Sequence, residues 1–254
     1  MFDFGANWQA FSEKRVNPER LIAATDSLRA LLQRDSLAGL TFLDVGCGSG
    51  LFSIAACQLG AAKVIGLDIN PRSIASSNYN RTRLTPDAPI DFVELSVLDQ
   101  ARMHGLGAFD LVYAWGSLHH TGAMWAAIET VLGTVRSGGT LVLAIYNRHS
   151  TSPVWRVIKR VYSRLPRWAQ LVVAVPFGGV IYLAKLIVTR RNPLEKQRGM
   201  DFWYDVIDWL GGYPYEYATP QEIETFVAAR GFALERSVPA QVPTGCNEFV
   251  FGKK

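Results

Sequence analysis

Thr41–Gly50 reads Thr-Phe-Leu-Asp-Val-Gly-Cys-Gly-Ser-Gly. Leu43 and Val45 predict a short buried strand. Gly46, Gly48 and Gly50 then stand at alternate positions and turn the chain sharply. Leu51–Leu59 follows with the apolar spacing of a helix. Strand, glycine turn and helix together make a nucleotide-binding βα turn. Its glycines adopt backbone angles closed to other residues and keep side chains out from between backbone and ligand.

The spacing separates this turn from a dinucleotide site. The dinucleotide fingerprint is Gly-x-Gly-x-x-Gly. Here the third glycine comes one residue early, and Leu51 stands where that pattern needs glycine. Asp44 lies two residues before Gly46. A carboxylate there repels a pyrophosphate and suits a cationic ligand. S-adenosylmethionine, with its ammonium and sulfonium, is such a ligand. Leu43–Gly50 resembles the first motif of the class I S-adenosylmethionine-dependent methyltransferases, and the chain is broadly similar to the quinone-pathway O-methylases. The resemblance runs over Leu40–Asn147. It implies an α/β fold: a Rossmann-like, doubly wound, seven-stranded sheet, with a mainly helical insert before the last two strands.

Further acids extend the cofactor site. Lys63–Ile69 predicts a second strand that ends in Asp68, about twenty residues beyond the glycines. At that separation a carboxylate accepts both ribose hydroxyls, while Asn70 is left to cap a helix at Pro71. Ile90–Leu98 predicts a third strand, and the resemblance puts the acid after it, Asp99, near the adenine amino group. Cys47, Ile69, Leu98 and Trp115 complete the expected cofactor contacts. Before the first strand, Asn17-Pro18 predicts a helix start. Trp8 and Phe11 are candidates for a lid, or equally for core packing.

Phe109–Trp115 predicts the fourth strand, Met124–Val135 a helix, and Thr140–Tyr146 the fifth strand. Ala233–Val238 and Phe249–Phe251 predict an antiparallel hairpin at the sheet edge. His119 and His120 follow the fourth strand, where the transferred methyl group is expected. Either could serve as a base for a hydroxyl acceptor, because imidazole titrates near neutrality. The competing role is orienting the acceptor. The same loop reads Trp115-Gly116-Ser117-Leu118, not the Asn/Asp-Pro-Pro-Tyr/Phe of nucleic-acid amino methylases, so no nucleic-acid partner is expected. The quinone-pathway enzymes carry Glu-x-x-Glu-His for a metal. Gly116, His119 and His120 stand at those positions, so no metal is expected.

From Arg148 to Arg198 the only acid is Glu195. Arg156, Lys159, Arg160, Arg164 and Arg167 recur beside apolar residues on an expected helix. Leu171–Val188 is apolar but interrupted at Pro176-Phe177-Gly178-Gly179, which predicts two short helices joined by a turn. The run is short and broken for a bilayer span. It suits a lid over the substrate, a homo-oligomer contact or a peripheral membrane contact. Gly199–Pro220 is dense in aromatics and acids. Trp203, Tyr204, Asp208, Tyr213 and Tyr215, with Tyr146 at the end of the fifth strand, are the substrate-binding candidates. Thr219-Pro220-Gln221-Glu222 then opens a helix with a capping box.

The expected organisation is thus a cofactor core at 1–147, a helical insert at 148–218, and a last helix with edge strands at 219–254. A net charge of +4 is too small to imply a nucleic-acid partner by itself. Met1-Phe2-Asp3-Phe4 does not resemble a signal peptide, and Cys47, Cys57 and Cys246 form no disulfide or zinc pattern. A cytoplasmic protein, possible at the inner face of a membrane, is the expectation. The leading function is methyl transfer from S-adenosylmethionine to a small-molecule acceptor by in-line displacement, with oxygen ahead of sulfur or nitrogen. The alternatives are a membrane-associated methyltransferase acting on a lipid-like phenol or quinol, and a non-enzymatic protein that keeps the fold.

Overall fold

A computed structural model describes residues 4–190, 192 and 202–254. Seven strands form one sheet in the order β3-β2-β1-β4-β5-β7-β6. They are β1 (Thr41–Val45), β2 (Lys63–Asp68), β3 (Ile90–Glu94), β4 (Phe109–Trp115), β5 (Val135–Tyr146), β6 (Phe232–Val238) and β7 (Cys246–Lys253). The first five run parallel, and β7 runs antiparallel to both neighbours. The chain winds outward from β1 through β2 to β3, then returns to start β4 on the other side of β1. That reversal opens a crevice beyond the carboxyl ends of β1 and β4, where ligands of open α/β sheets bind.

The central strands are buried on both faces, and their side chains alternate between two cores. Phe42, Leu111 and Val142 point toward α2 (Pro18–Leu32) and α3 (Leu51–Gln58). Leu43, Val112 and Leu141 point toward α6 (Met124–Leu132) and α10 (Pro220–Ala228). The caps read from sequence form as expected. The Asn17 side chain accepts from the Arg20 N–H, and Thr219 and Glu222 close a capping box. The remaining helices of this half are α1 (Phe4–Lys14), α4 (Pro71–Leu84) and α5 (Gln100–Gly105).

Three sequence expectations are revised. The third strand ends at Glu94, and Leu95–Asp99 forms the turn into α5. The helix expected to reach Val135 stops at Leu132, because Val135 already pairs with Phe109. The last two strands form the antiparallel hairpin at the sheet edge that the sequence predicts. Phe249, Val250 and Phe251 are buried on both faces of β7, which therefore sits between β5 and β6, and the mostly exposed β6 takes the edge.

The third revision concerns the basic segment. α7 (Ser152–Tyr162) is separate from α8 (Arg167–Thr189), so Arg164 lies in the link between them. α8 is one helix that runs through Pro176. A proline inside a helix loses a hydrogen bond and costs about 3 kcal/mol. Packing overrides it: Ala174, Phe177 and Ile181 join Phe202, Val206 and Leu210 of α9 (Phe202–Gly211) in a third core. Gly178 marks a close approach, not a turn, since a Cβ there would lie 2.5 Å from the Trp203 ring. Among the described residues no helix is long and apolar enough to cross a membrane.

Candidate active site

Gly46, Gly48 and Gly50 all take positive φ, at 77°, 56° and 73°. Between them the loop docks on β2, where the Gly46 and Cys47 N–H groups both donate to the Leu67 carbonyl (2.7 and 2.9 Å). The glycines also allow close approach. A Cβ on Gly46 would lie 2.3 Å from the Cβ of Ser117, and one on Gly48 would lie 2.8 Å from the Trp8 indole. The space that Gly46 preserves is thus filled by Ser117, whose hydroxyl donates to the Val45 carbonyl (2.7 Å).

A polar helix face supports the turn from beneath. Ser73, Ser76, Ser77 and Asn80 of α4 are buried. Ser77 Oγ donates to the Gly48 carbonyl (3.0 Å), and Asn80 Nδ2 donates to the Ser49 carbonyl (2.9 Å). The sequence reading missed this brace. Its signal was present: small polar residues at i, i+3, i+4 and i+7, where a buried helix face is ordinarily apolar.

Asp44 is buried, and Ser53 Oγ donates to its carboxylate (2.6 Å). Burial, aided by the nearby charge of Asp68, raises its pKa from 3.8 to about 7 despite that hydrogen bond. Asp68 accepts from the Gly48 and Asn70 N–H groups (3.1 and 2.8 Å), and burial raises its pKa as well. A buried acid and a half-buried one, on a glycine cradle, match a ligand that brings a cation and hydroxyl donors. The residues present therefore fit S-adenosylmethionine.

These groups open into one cavity of about 1000 Å³, lined by Asp44, Gly46, Cys47, Asp68, Ile69, Leu98 and Trp115 among others. That volume holds a cofactor and an acceptor together. Asp99 is not in the lining; its side chain caps α5 by accepting from the Arg102 N–H. Trp8 and Phe4 line the cavity from α1, whereas Phe11 is core.

The far half of the cavity is aromatic and apolar. Its walls are His119, His120, Tyr146, Trp155 of α7, Phe177 and Ile181 of α8, and Val206 and Trp209 of α9. Of the substrate candidates, Tyr146 is on the wall and Tyr215 packs behind it, ring centroids 5.1 Å apart. Burial pushes the Tyr215 hydroxyl up to about 12. Tyr213 is not in the lining. Trp203 also stays off the wall, because α9 turns Phe202, Val206 and Leu210 inward and the next residue round the helix faces outward, 43% exposed. The side chains of Tyr204 and Asp208 lie outside the described residues. The sequence reading did not single out Trp155, Val206 and Trp209, which look like ordinary core residues until α7 and α9 bring them together.

His119 is buried against Tyr146, ring centroids 4.0 Å apart, and its Nδ1 meets no hydrogen-bond partner among the described residues. His120 Nδ1 lies 2.7 Å from the Pro214 carbonyl. A carbonyl only accepts, so Nδ1 carries the proton and Nε2 holds the lone pair. Burial, then the charge of Lys159, depresses His120 to about 3; burial, then His120 and Lys159, push His119 well down too. Lys159 is fully buried, donates to the Trp209 carbonyl, and lies 4.7–5.3 Å from the ring centroids of Tyr146, Trp209 and Tyr215. Among the described residues no group of three His, Cys, Asp or Glu side chains could hold a metal ion.

A switch-point cavity with a glycine cradle, two acids and an aromatic annex defines a Rossmann-like cofactor-binding domain. Known proteins narrow it. Residues 43–141 match the family described as a methyltransferase domain. A ubiquinone biosynthesis O-methyltransferase from Methylobacterium sp. (strain 4-46) is 30% identical over 184 residues, which is 66% of this chain and 72% of that one. A ribosomal protein L11 methyltransferase from Aliivibrio fischeri (strain MJ11) is 50% identical over only 78 residues, 31% of this chain and 25% of its own length. The crystal structure of magnesium protoporphyrin IX methyltransferase from Synechocystis PCC 6803, with S-adenosylhomocysteine bound, superposes with a TM-score of 0.59 at 17% identity, covering 98% of this chain and 94% of that one. The chain belongs to the class I S-adenosylmethionine-dependent methyltransferases, and S-adenosylmethionine is its cofactor.

Proposed function

We propose that this enzyme methylates an oxygen of a largely apolar small-molecule acceptor held between the sheet and the α7–α9 cap. The observation that carries the reading is His120, a neutral imidazole on a largely aromatic wall with a lone pair on Nε2. Bound S-adenosylmethionine supplies the electrophilic methyl group. Asp44 pairs with the ammonium of the cofactor, Asp68 accepts from its ribose hydroxyls, and Ile69 and Leu98 flank the adenine. The aromatic wall excludes water and holds the acceptor close to the methyl carbon, where small misplacements are costly.

A histidine depressed to about 3 is a weak base at neutral pH. Its first task is therefore orientation: Nε2 accepts the hydrogen bond of the acceptor hydroxyl and aims the oxygen. As the new C–O bond forms, that proton becomes strongly acidic, and even a weak base takes it. His119, buried one residue earlier, holds the ring of His120 in place.

The test is release of S-adenosylhomocysteine with a panel of phenols, thiols and amines. On a hydroxyl acceptor, His120→Ala is expected to lose about 10²-fold or more in turnover, with cofactor affinity unchanged by calorimetry. Because His120 is neutral above about pH 3, the wild-type rate is expected to show no histidine limb between pH 8 and 5. A loss of only a few-fold, or turnover confined to thiols or amines, would overturn the oxygen assignment.

A further inference from the structure

The cap carries a second feature that methyl transfer does not use. On α8, Trp168, Leu171, Val172, Val175, Leu183 and Ile187 are all exposed, Trp168 at 72% and Ile187 at 73%. Their spacing puts them on one side of the helix, while Ala174, Phe177 and Ile181 face α9. α7 repeats the pattern. Val154, Val157 and Val161 are exposed at i, i+3 and i+7, and Lys159 and Tyr162 face inward. Soluble monomers rarely leave so continuous an apolar strip in water.

Charge indicates what covers it. No Asp or Glu occurs between residues 130 and 194. Exposed Arg160 sits three residues beyond Val157 on α7, exposed Arg164 lies in the link that follows α7, and exposed Arg190 follows the end of α8. Arginines bordering an apolar face can extend their heads to anionic groups while their stems stay in the apolar layer. A second copy of the chain fits less well. A two-fold interface sets each patch against itself, and here it would bring arginines together with no acids in the segment to answer them. The strip is also continuous with the active-site cavity: Pro176 and Val180 line that cavity and are exposed on α8.

We propose that the outer faces of α7 and α8 seat the enzyme on an anionic lipid surface. The valines, leucines and Trp168 enter the acyl boundary, Arg160, Arg164 and Arg190 reach the headgroups, and the cavity mouth at Pro176 and Val180 faces the lipid. This goes beyond the reaction assigned above and does not depend on which acceptor atom is methylated.

The experiment is sedimentation of the full chain with phosphatidylcholine vesicles, with and without phosphatidylglycerol. The wild type is expected to pellet only with the anionic vesicles and to be released by salt. Arg160→Glu/Arg164→Glu should weaken binding on the order of tenfold or more. Leu171→Glu/Val175→Glu should abolish it; both sites are already exposed, and unchanged cofactor affinity by calorimetry would show that each variant is folded. The proposal is overturned if the wild type stays in the supernatant with anionic vesicles, or if Leu171→Glu/Val175→Glu pellets like the wild type. It is equally overturned if velocity sedimentation finds a dimer that these substitutions dissolve and no lipid binding, which would assign the strip to self-association.

Discussion

The two halves of the cavity are built on opposite principles. The cofactor half is made of backbone and buried polar groups: three left-handed glycines, two acids and a serine-asparagine brace from α4. Nearly all of it comes from one stretch of chain between β1 and α4. The half proposed to hold the acceptor is largely apolar and aromatic, and α7, α8 and α9 each contribute to it together with the ends of β4 and β5. One half recognises a fixed ligand through donors, acceptors and charge. The other offers shape and an imidazole, His120, whose Nε2 holds a lone pair. The first kind of site tolerates little change; the second can be remodelled while the first stays intact.

Gly46→Val puts that contrast under the greatest load. The added side chain meets Ser117 at once and strains a residue at φ 77°. Cofactor affinity is expected to fall by about 100-fold or more, on the order of 3 kcal/mol, as read by calorimetry. Near-normal affinity in a folded variant would mean that the turn is not the rigid half.

Trp155→Ala probes the other side. Trp155 packs edge-on against Trp209, centroids 4.3 Å apart, and lines the acceptor wall. Its loss is expected to lower kcat/KM by about 10-fold to 100-fold, through the burial energy removed from the wall. Cofactor affinity should be unaffected. A parallel loss of cofactor binding would show the two halves to be coupled.

The smallest effect is a pH dependence belonging to the cofactor half alone. Asp44 rises from 3.8 to about 7 on folding, so its proton is held more tightly in the native protein. The stability it contributes is present below 3.8 and is lost as pH rises through about 7. Asp44→Asn should therefore raise the Tm of the cofactor-free protein at pH 8. A cationic ligand needs the ionised form, so cofactor affinity in the wild type should fall by about tenfold per unit as pH drops below 7. Asp44→Asn should bind weakly at every pH, and a wild-type affinity flat from pH 8 to 5 would remove Asp44 from the cofactor's ammonium.

Much of the cofactor half could be read directly from sequence because its determinants are local. Glycines at alternate positions after a buried strand permit few other turns, and Asp44 and Asp68 sit at the ends of adjacent parallel strands whose pairing follows from the same pattern. Family resemblance was less exact at Asp99, which the short turn after β3 diverts to capping α5. The polar face of α4 was visible as a pattern, but its purpose required the glycine loop to be lying on it.

What the sequence by itself determined is the doubly wound sheet, the glycine turn and the class of ligand, all consequences of hydrophobic period, turn chemistry and charge at fixed offsets. Only the tertiary structure decided the acceptor chamber and the cap. α8 continues through Pro176 because its contacts with α9 outweigh the lost hydrogen bond, and that same packing selects Val206 and Trp209, not Trp203, for the wall. His120 became a neutral acceptor only when the Pro214 carbonyl, far along the chain, accepted a hydrogen bond from its Nδ1–H and Lys159 was buried nearby. Local patterns specify backbone geometry; which side chains meet across the fold is set by packing among segments that carry no record of one another.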